Sequence, residues 1–96
     1  MTEPKVATEV ARQLQAIAEP NRIRIIDCLR TGAKNVTQLA TLLKVEIVNV
    51  SHHLGVMKQA GLVENEKDGR FVIYSLHPSF KNASVIDLGW CKVTIA

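Results

Sequence analysis

The feature of this sequence that most constrains its fold is a strand-turn-strand pattern that begins directly after a helix. Residues 62–67 and 70–76 have the β-branched, aromatic and alternating polar residues of two strands, and Asp68-Gly69 separates them. An Asp-Gly pair in this position predicts a two-residue type I′ turn, because that turn needs positive φ at both central residues. Gly61 ends the preceding helix, so no long linker intervenes. The segment therefore predicts an antiparallel β-hairpin placed immediately behind a helix.

The helix before the hairpin, residues 47–60, closely follows another helix. Its apolar residues are spaced by three, four and three positions, as in a helix with one buried face: Ile47, Val50, Leu54 and Met57. The preceding helix covers residues 36–43, and Asn35 and Gln38 at its start match the pattern of a capping box. Two helices joined by only a few residues are typical of a helix-turn-helix. In that context the β-hairpin is a wing.

Two further helices are predicted nearer the N-terminus. The first, residues 6–17, has apolar side chains at a helical period: Val6, Val10, Leu14 and Ile17. Pro20 marks the start of the second, because proline is tolerated in the first turn of a helix, and Gly32 ends it. The predicted fold class is α+β, a winged helix-turn-helix with about four helices and a two-stranded β-hairpin wing. We expect residues 1–96 to form a single domain.

The C-terminal tail, residues 79–96, is less regular than the rest. Residues 79–84 are polar and loop-like. Residues 85–95 mix β-branched residues with Gly89 and show no helical period, so a further strand is preferred there over a final helix.

Two cysteines, Cys28 in the second helix and Cys91 in the tail, stand far apart without a CxxC spacing. In a cytosolic protein of this size two plain thiols are expected rather than a structural disulfide. The alternative is a redox pair within one chain or across a dimer, which needs Cα atoms within about 7 Å.

The composition excludes several classes of protein. The chain has 96 residues, 47% of them hydrophobic, as in a single globular domain. No apolar run approaches the roughly 20 residues that span a bilayer, and the first ten residues lack a signal-peptide core, so we expect a cytoplasmic protein with no membrane partner. No serine, cysteine or carboxylate is paired with a base on a recognisable catalytic element. We expect neither an enzyme nor a cofactor.

Charge by itself does not indicate a nucleic-acid partner, although the whole chain carries +3. Residues 44–70 hold as many cations as acids: Lys44, Lys58, Lys67 and Arg70 against Glu46, Glu64, Glu66 and Asp68. The order of the elements is what indicates DNA binding. The three acids of the hairpin would repel phosphate if they faced it, so a winged helix that binds protein is the second hypothesis.

Four stretches of the sequence resemble the ArsR/SmtB type of bacterial winged-helix repressors. They are AIAEPNRIRIIDCLR at 16–30, VTQLATLLKV at 36–45, VSHHLGVMKQAGLV at 50–63 and EKDGRFVIYSL at 66–76. The resemblance covers residues 14–78. It implies a symmetric dimer that binds an imperfect palindrome at a promoter and is released by an inducer, often a metal ion.

Three departures from that pattern bear on function. Where metal-sensing members of the family carry cysteines, this chain has Asn35 and Thr37, which are not soft metal ligands. The tail lacks the Asp and His ligands that many members carry on a last helix. Lys44 and Glu46 replace the usual glycine and serine before the recognition helix, which weakens its cap. The first two departures predict that no metal is bound.

The outward positions in the N-terminal half of the recognition helix are the predicted base contacts. With Val50 at the centre of the buried face, they are Val48, Asn49, Ser51 and His52. Asn49 can hydrogen-bond adenine, and Val48 can contact a thymine methyl group. Ser51 and His52 can hydrogen-bond bases or phosphates. Ile47 leans toward the core and is expected to pack there.

Further contacts are predicted on the wing and on the preceding helix. Lys67 and Arg70 flank the turn and are expected to reach phosphate or the minor groove, or else only to solubilise the hairpin tip. Thr37 and Gln38 are predicted phosphate contacts, with Gln38 shared with the capping box. His53, at the edge of the buried face, is expected to be a hydrogen-bonded structural histidine.

The predicted function is a sequence-specific DNA-binding transcriptional regulator, a repressor that acts on a palindromic promoter site without the usual metal ligands. Its predicted partners are double-stranded DNA and a second copy of itself. The dimer is expected to form through the first helix, whose apolar stripe has little other core to cover, and the tail. Three alternatives for the control of DNA binding stay open: a redox switch, an unknown inducer, or no inducer at all.

Overall fold

Helices and strands follow one another in the predicted order in this computed structural model, which describes residues 3–78, 85–87 and 92–94. The helices are α1 (Pro4–Ile17), α2 (Pro20–Leu29), α3 (Val36–Leu43) and α4 (Ile47–Gln59). The strands are β1 (Lys34–Asn35), β2 (Val63–Asp68), β3 (Phe71–Leu76), β4 (Val85–Asp87) and β5 (Lys92–Thr94). The predicted winged helix-turn-helix is confirmed, with α3 and α4 as its two helices.

Local chemistry explains where the helices begin. Pro4 and Pro20 stand in the first turns of α1 and α2, where a missing N–H costs nothing. The carboxylate of Glu19 accepts a hydrogen bond from the backbone N–H of Arg22 at 3.0 Å and caps α2. α1 begins two residues earlier than predicted, because the apolar stripe starts only at Val6 whereas the backbone turns at Pro4.

The capping box predicted at the start of α3 is confirmed. The side-chain oxygen of Asn35 accepts from the N–H of Gln38, and the side-chain oxygen of Gln38 accepts from the N–H of Asn35, both at 2.8 Å. Two backbone donors that the helix itself cannot satisfy are thereby paired.

The sheet that carries the wing has three strands in the order β1-β3-β2, one more than predicted. In β1, Lys34 pairs with Tyr74 and Asn35 with Ile73. A strand of two residues is too short to show alternation, so the sequence pattern contained no signal for it. It ties the start of α3 to the central strand of the sheet.

The turn of the hairpin lies one residue later than predicted. Asp68 pairs with Phe71, so the two loop residues are Gly69 and Arg70. Gly69 has φ +63°, while Arg70 keeps a negative φ, which is the pattern of a type II′ turn rather than the predicted type I′. Only glycine adopts positive φ without a steric cost, so the register places Gly69 at the one position that needs it.

The core lies where α2, α3 and α4 meet the base of β2 and β3. Its fully buried side chains are Val50, Leu54, Met57, Ile25, Ile26, Leu39 and Leu62. Burying a side chain of this size contributes about 1.5–3 kcal/mol. The same residues fix α4 against the rest of the domain, so its opposite face is held in a defined orientation.

The tail contains two short strands, β4 and β5, which pair antiparallel in a sheet separate from the wing. The preference for extended structure over a helix is confirmed for these residues, but one continuous strand is wrong. Antiparallel pairing lets two short strands satisfy each other's backbone groups, which a lone strand cannot do. No helix in the described part of the chain is long and apolar enough to cross a membrane.

Candidate nucleic-acid interface

Helix α4 has one buried face and one exposed face. Val50, Leu54 and Met57 are 0% exposed. On the other side Val48 is 76% exposed, and the other predicted base contacts are exposed as well: Asn49, Ser51 and His52. The structure therefore brings all four together on the accessible surface of the first two turns.

Ile47 does not pack in the core as predicted. It is 50% exposed, next to Val48. The buried face of α4 instead begins at Val50, one turn later. An apolar pair is thus exposed at the tip of the helix.

The start of α4 lacks a closed cap, in line with the departure noted in the sequence. Glu46 occupies the N-cap position and makes no side-chain hydrogen bond to the helix. Its carbonyl oxygen accepts from the N–H groups of Asn49 and Val50, both at 3.0 Å. The first amides of a helix have no partner within it, so this end presents free donors and a positive dipole.

His53 has the structural role predicted for it. Its Nδ1 accepts a hydrogen bond from Nε of Arg22 at 3.1 Å, and its Nε2 lies 3.5 Å from a carboxylate oxygen of Glu19. These contacts fasten α4 to the start of α2. The ring of His52 lies 5.9 Å away and is tilted by 54°, on the exposed side of the helix.

The turn between α3 and α4 contains a strained residue. Lys44 has φ 56° in the left-handed region, at the C-cap position of α3. A side chain there costs about 1–2 kcal/mol. Arg24 reaches across from α2 and donates to the carbonyl oxygen of Leu43 at 3.0 Å, which satisfies one of the free acceptors at this helix end.

Both predicted phosphate contacts on α3 are exposed. They lie at a groove of about 410 Å³ between this helix and the wing, lined by Lys34, Asn35, Thr37, Gln38, Thr41, Leu42 and Phe71. Leu42 and Phe71, which are 56% and 49% exposed, were not predicted from the sequence. A bulky aromatic residue directly after the turn is a signal that could have indicated Phe71.

Lys34 is the cation nearest this groove, but its ammonium group is already hydrogen-bonded within the domain. Its Nζ donates to the carbonyl oxygens of Cys28 and Gly32 at 3.0 and 3.2 Å, and to the hydroxyl of Thr31 at 2.9 Å. A cation at a helix C-terminus pairs with free carbonyls and with the helix dipole. Lys34 therefore closes the end of α2.

The wing, made of β2, β3 and their turn, separates its charges by face. Lys67 pairs with Val72 and shares a sheet face with the buried Val63. The three acids lie on the opposite face: Glu64, Glu66 and Asp68. Arg70 is exposed in the turn itself. The two predicted wing cations are thus accessible, and Lys67 does not share its face with the acids.

The described residues contain no group of three or more His, Cys, Asp or Glu side chains placed to hold a metal ion. Asn35 stands at a position where metal-sensing members of the resembled family carry a cysteine. Its side-chain oxygen is already hydrogen-bonded in the capping box. Cys28 is half-buried in α2, and Cys91 lies outside the described residues, so the redox pair stays a prediction.

Residues 19–65 match the family model described as bacterial regulatory protein, arsR family. The HTH-type transcriptional regulator NmtR of Mycobacterium tuberculosis is 41% identical over 75 residues, which are 78% of this chain and 62% of NmtR. The transcriptional repressor SdpR of Bacillus subtilis is 31% identical over 71 residues, 74% of this chain and 79% of SdpR. This chain therefore spans less than two thirds of NmtR but more than three quarters of SdpR.

Solved structures share the same fold. A homodimeric winged helix-turn-helix DNA-binding domain from Mycobacterium bovis, a possible ArsR-family regulator, superimposes with a TM-score of 0.75 at 30% identity, covering 82% of this chain and 75% of that one. HlyU from Vibrio cholerae gives a TM-score of 0.75 at 25% identity, covering 83% and 87%. Fold, motif and sequence agree, and the chain belongs to the ArsR family of bacterial winged helix-turn-helix transcriptional regulators.

Proposed function

We propose that this protein is a repressor that binds a palindromic promoter site as a homodimer, with α4 in the major groove. One observation carries the proposal. The first two turns of α4 expose four neighbouring side chains, while Val50, Leu54 and Met57 on the opposite face are fully buried in the core. A recognition helix reads base edges with the outward residues of its N-terminal half.

The side chains at this surface suggest what is read. Asn49 can donate to and accept from adenine in a bidentate pair, and Val48 can contact a thymine methyl group. The exposure of Ile47 adds a second apolar side chain beside Val48. Ser51 and His52 can bond bases or phosphates. The half-site we propose is therefore rich in A·T pairs opposite the start of α4.

Phosphate contacts would orient the domain on the duplex. Lys67 and Arg70 on the wing supply the charge, and Arg70 in the turn is placed to reach the minor groove. Thr37 offers a hydroxyl at the start of α3. The amide group of Gln38 remains available as a donor because the capping box uses its oxygen.

The dimer is proposed to form through α1 and the tail. The expectation that the α1 stripe has little other core to cover is wrong for Val10 and Ile17, which the domain itself buries to 5% exposure each. Val6 on α1 is 45% exposed and Ile23 on α2 is 40% exposed, so some apolar surface remains on these two helices. Leu14 is only half-buried. The homodimeric state of the related domain from Mycobacterium bovis supports the same assembly.

We propose that metal binding does not control this protein through α3. Among related proteins are regulators described as cadmium resistance transcriptional regulatory proteins. The donors at the corresponding position here do not fit such an ion, because Asn35 and Thr37 offer an amide and a hydroxyl. The amide oxygen of Asn35 is, moreover, bonded to the N–H of Gln38.

The distribution of acids weighs against a winged helix that binds protein. Glu64, Glu66 and Asp68 share the wing face opposite to Lys67. A duplex that contacts Lys67 and the turn therefore does not have to contact these acids. The separation of Lys67 from the acids therefore supports DNA rather than protein as the partner.

The proposal is tested by fluorescence anisotropy with a duplex from the region upstream of the protein's own gene. We expect affinity to fall steeply as salt rises, because neutralised phosphates release counterions. The double variant His52→Ala/Arg70→Ala should lose at least tenfold in affinity, whereas Lys5→Ala, the loss of an exposed cation on α1, should change it less than twofold. Equal binding by the double variant and the parent would overturn the site assignment.

A further inference from the structure

A second concave site lies away from the exposed face of α4. It is a cleft of about 190 Å³ between α1, α2 and α4, lined by Arg12, Gln15, Ala16, Arg22, Val56, Gln59 and Ala60. Two guanidinium groups and two side-chain amides surround a floor of small apolar side chains. On α1, Arg12 and Gln15 lie on the side opposite to the apolar stripe, at about 100° per residue. The proposed dimer surface and this cleft are therefore separate.

Arg22 is the unusual member of the set. It is half-buried, yet within the described part of the chain its guanidinium has no carboxylate within 4.0 Å. Its Nε donates to the uncharged Nδ1 of His53, and one Nη lies 3.5 Å from the carbonyl oxygen of Ala16, at the limit of a hydrogen bond. The fold thus orients this cation without a direct carboxylate contact, since Glu19 is linked to the guanidinium only through the ring of His53.

The other polar groups suit an anion with a short apolar part. Arg12 is bound to Glu9 at 2.8 Å, but both side chains are more than half exposed, so this pair is weak and easily exchanged. The amides of Gln15 and Gln59 make no hydrogen bond within the described residues, so their N–H groups are free to donate. Carboxylates bind arginine in a bidentate fashion, and Ala16, Val56 and Ala60 supply an apolar floor.

We infer that this cleft binds a small organic carboxylate, that Arg22 is its main contact, and that Arg22 transmits occupancy to the recognition helix through His53. A cleft of about 190 Å³ has room for a short-chain carboxylate. Butyrate is such a carboxylate. Butyramide has the same shape without the charge, and it provides a matched control.

The test is a titration of the isotope-labelled protein, free of DNA, followed by NMR at constant ionic strength. Butyrate should shift the side-chain amide signals of Gln15 and Gln59 and the ring signals of His53 in a saturable way. Butyramide and an equal concentration of chloride should not. Because no DNA is present, the result is independent of the proposed repressor function.

Substitutions of three cations test which side chains of the cleft bind butyrate. Arg22→Lys keeps the charge but loses the planar fork, and it should weaken butyrate binding at least tenfold and abolish the shift at His53. Arg12→Gln alters only an exposed side chain, so folding is preserved, and it should weaken binding about threefold to fivefold. Lys5→Gln removes an equal charge two turns away on α1 and should have no effect.

Three results would overturn the inference. Equal shifts from butyrate and butyramide would show that charge is not recognised. A loss in Lys5→Gln equal to that in Arg12→Gln would show only general screening. Saturable shifts at Gln15 and Gln59 without any change at His53 would refute the link to the recognition helix.

Discussion

The two helices of the helix-turn-helix begin in different ways. At the start of α3, Asn35 and Gln38 form a closed capping box with two hydrogen bonds of 2.8 Å. At the start of α4, Glu46 makes no cap with its side chain, and Val48 in the first turn is 76% exposed. A side-chain cap contributes about 1 kcal/mol. Helix α3 therefore has a closed start, whereas α4 lacks that stabilisation and leaves its first turn exposed.

The strongest test of this comparison is to replace one asparagine near the start of each helix, Asn49 in α4 and Asn35 before α3, by alanine. Asn49→Ala, in the first turn of α4, should lower affinity for the operator by about 1–3 kcal/mol per half-site, since it removes a bidentate contact to adenine. The free energy of unfolding should stay within about 0.5 kcal/mol, as expected for an exposed site. Anisotropy titrations and urea denaturation measure the two quantities. A large loss of stability with unchanged affinity would contradict the assignment.

Asn35→Ala should give the opposite result. Loss of the cap should destabilise the fold by about 1 kcal/mol, with an upper value of about 2 kcal/mol, because the backbone N–H of Gln38 loses its partner. Affinity at a temperature where the variant is fully folded should change less than twofold. Asn35→Ser keeps an N-cap oxygen and is the control. If it is as unstable as the alanine variant, the capping box is not the cause.

The residue between the two helices offers a smaller effect. Lys44→Gly should stabilise the protein by about 0.5–1 kcal/mol, because glycine tolerates the φ of 56° that lysine adopts here at a cost. Lys44→Ala keeps the strain and controls for loss of the charge. Thermal unfolding of the three proteins at equal concentration measures the difference. A glycine variant no more stable than the alanine variant would show that the backbone is relaxed at this position.

The smallest expected effect comes from closing the open cap. Glu46→Ser should stabilise α4 by about 0.5 kcal/mol by supplying an N-cap hydroxyl. It should also raise affinity for DNA severalfold, because a carboxylate is removed from the proposed DNA-binding surface. Glu46→Gln removes the charge without the cap, so it separates the two contributions. A gain in affinity with Ser but none with Gln would assign the effect to the cap alone.

The parts of the interface that depend on short-range chemistry were predictable. The capping box follows from Asn35 and Gln38 three residues apart, and the exposed face of α4 follows from its period around Val50. Ile47 was placed wrongly because periodicity assigns every residue to a face, whether or not a neighbouring element reaches that far. At the start of α4 the described residues cover only half of it, and it is 50% exposed.

In the hairpin, the sequence pattern likewise predicted the elements but not the register in which the strands pair. Asp68-Gly69 correctly indicated a turn and two strands. Which two residues form the loop is decided by pairing with β3, and the pairing of Asp68 with Phe71 moves the loop forward by one residue. That shift places Gly69 where positive φ is required and puts Arg70 at the tip. It also places Phe71 at the groove beside α3, which no local pattern could show.

The sequence by itself determined the order of the elements, the winged helix-turn-helix, the family and the outward residues of the recognition helix. These depend on periodicity and on caps, which act within a few residues of one another. Only the tertiary structure decided the third strand at Lys34, the groove between α3 and Phe71, and the cleft around Arg22. Each of these joins residues distant in the chain, and their distances are set by packing.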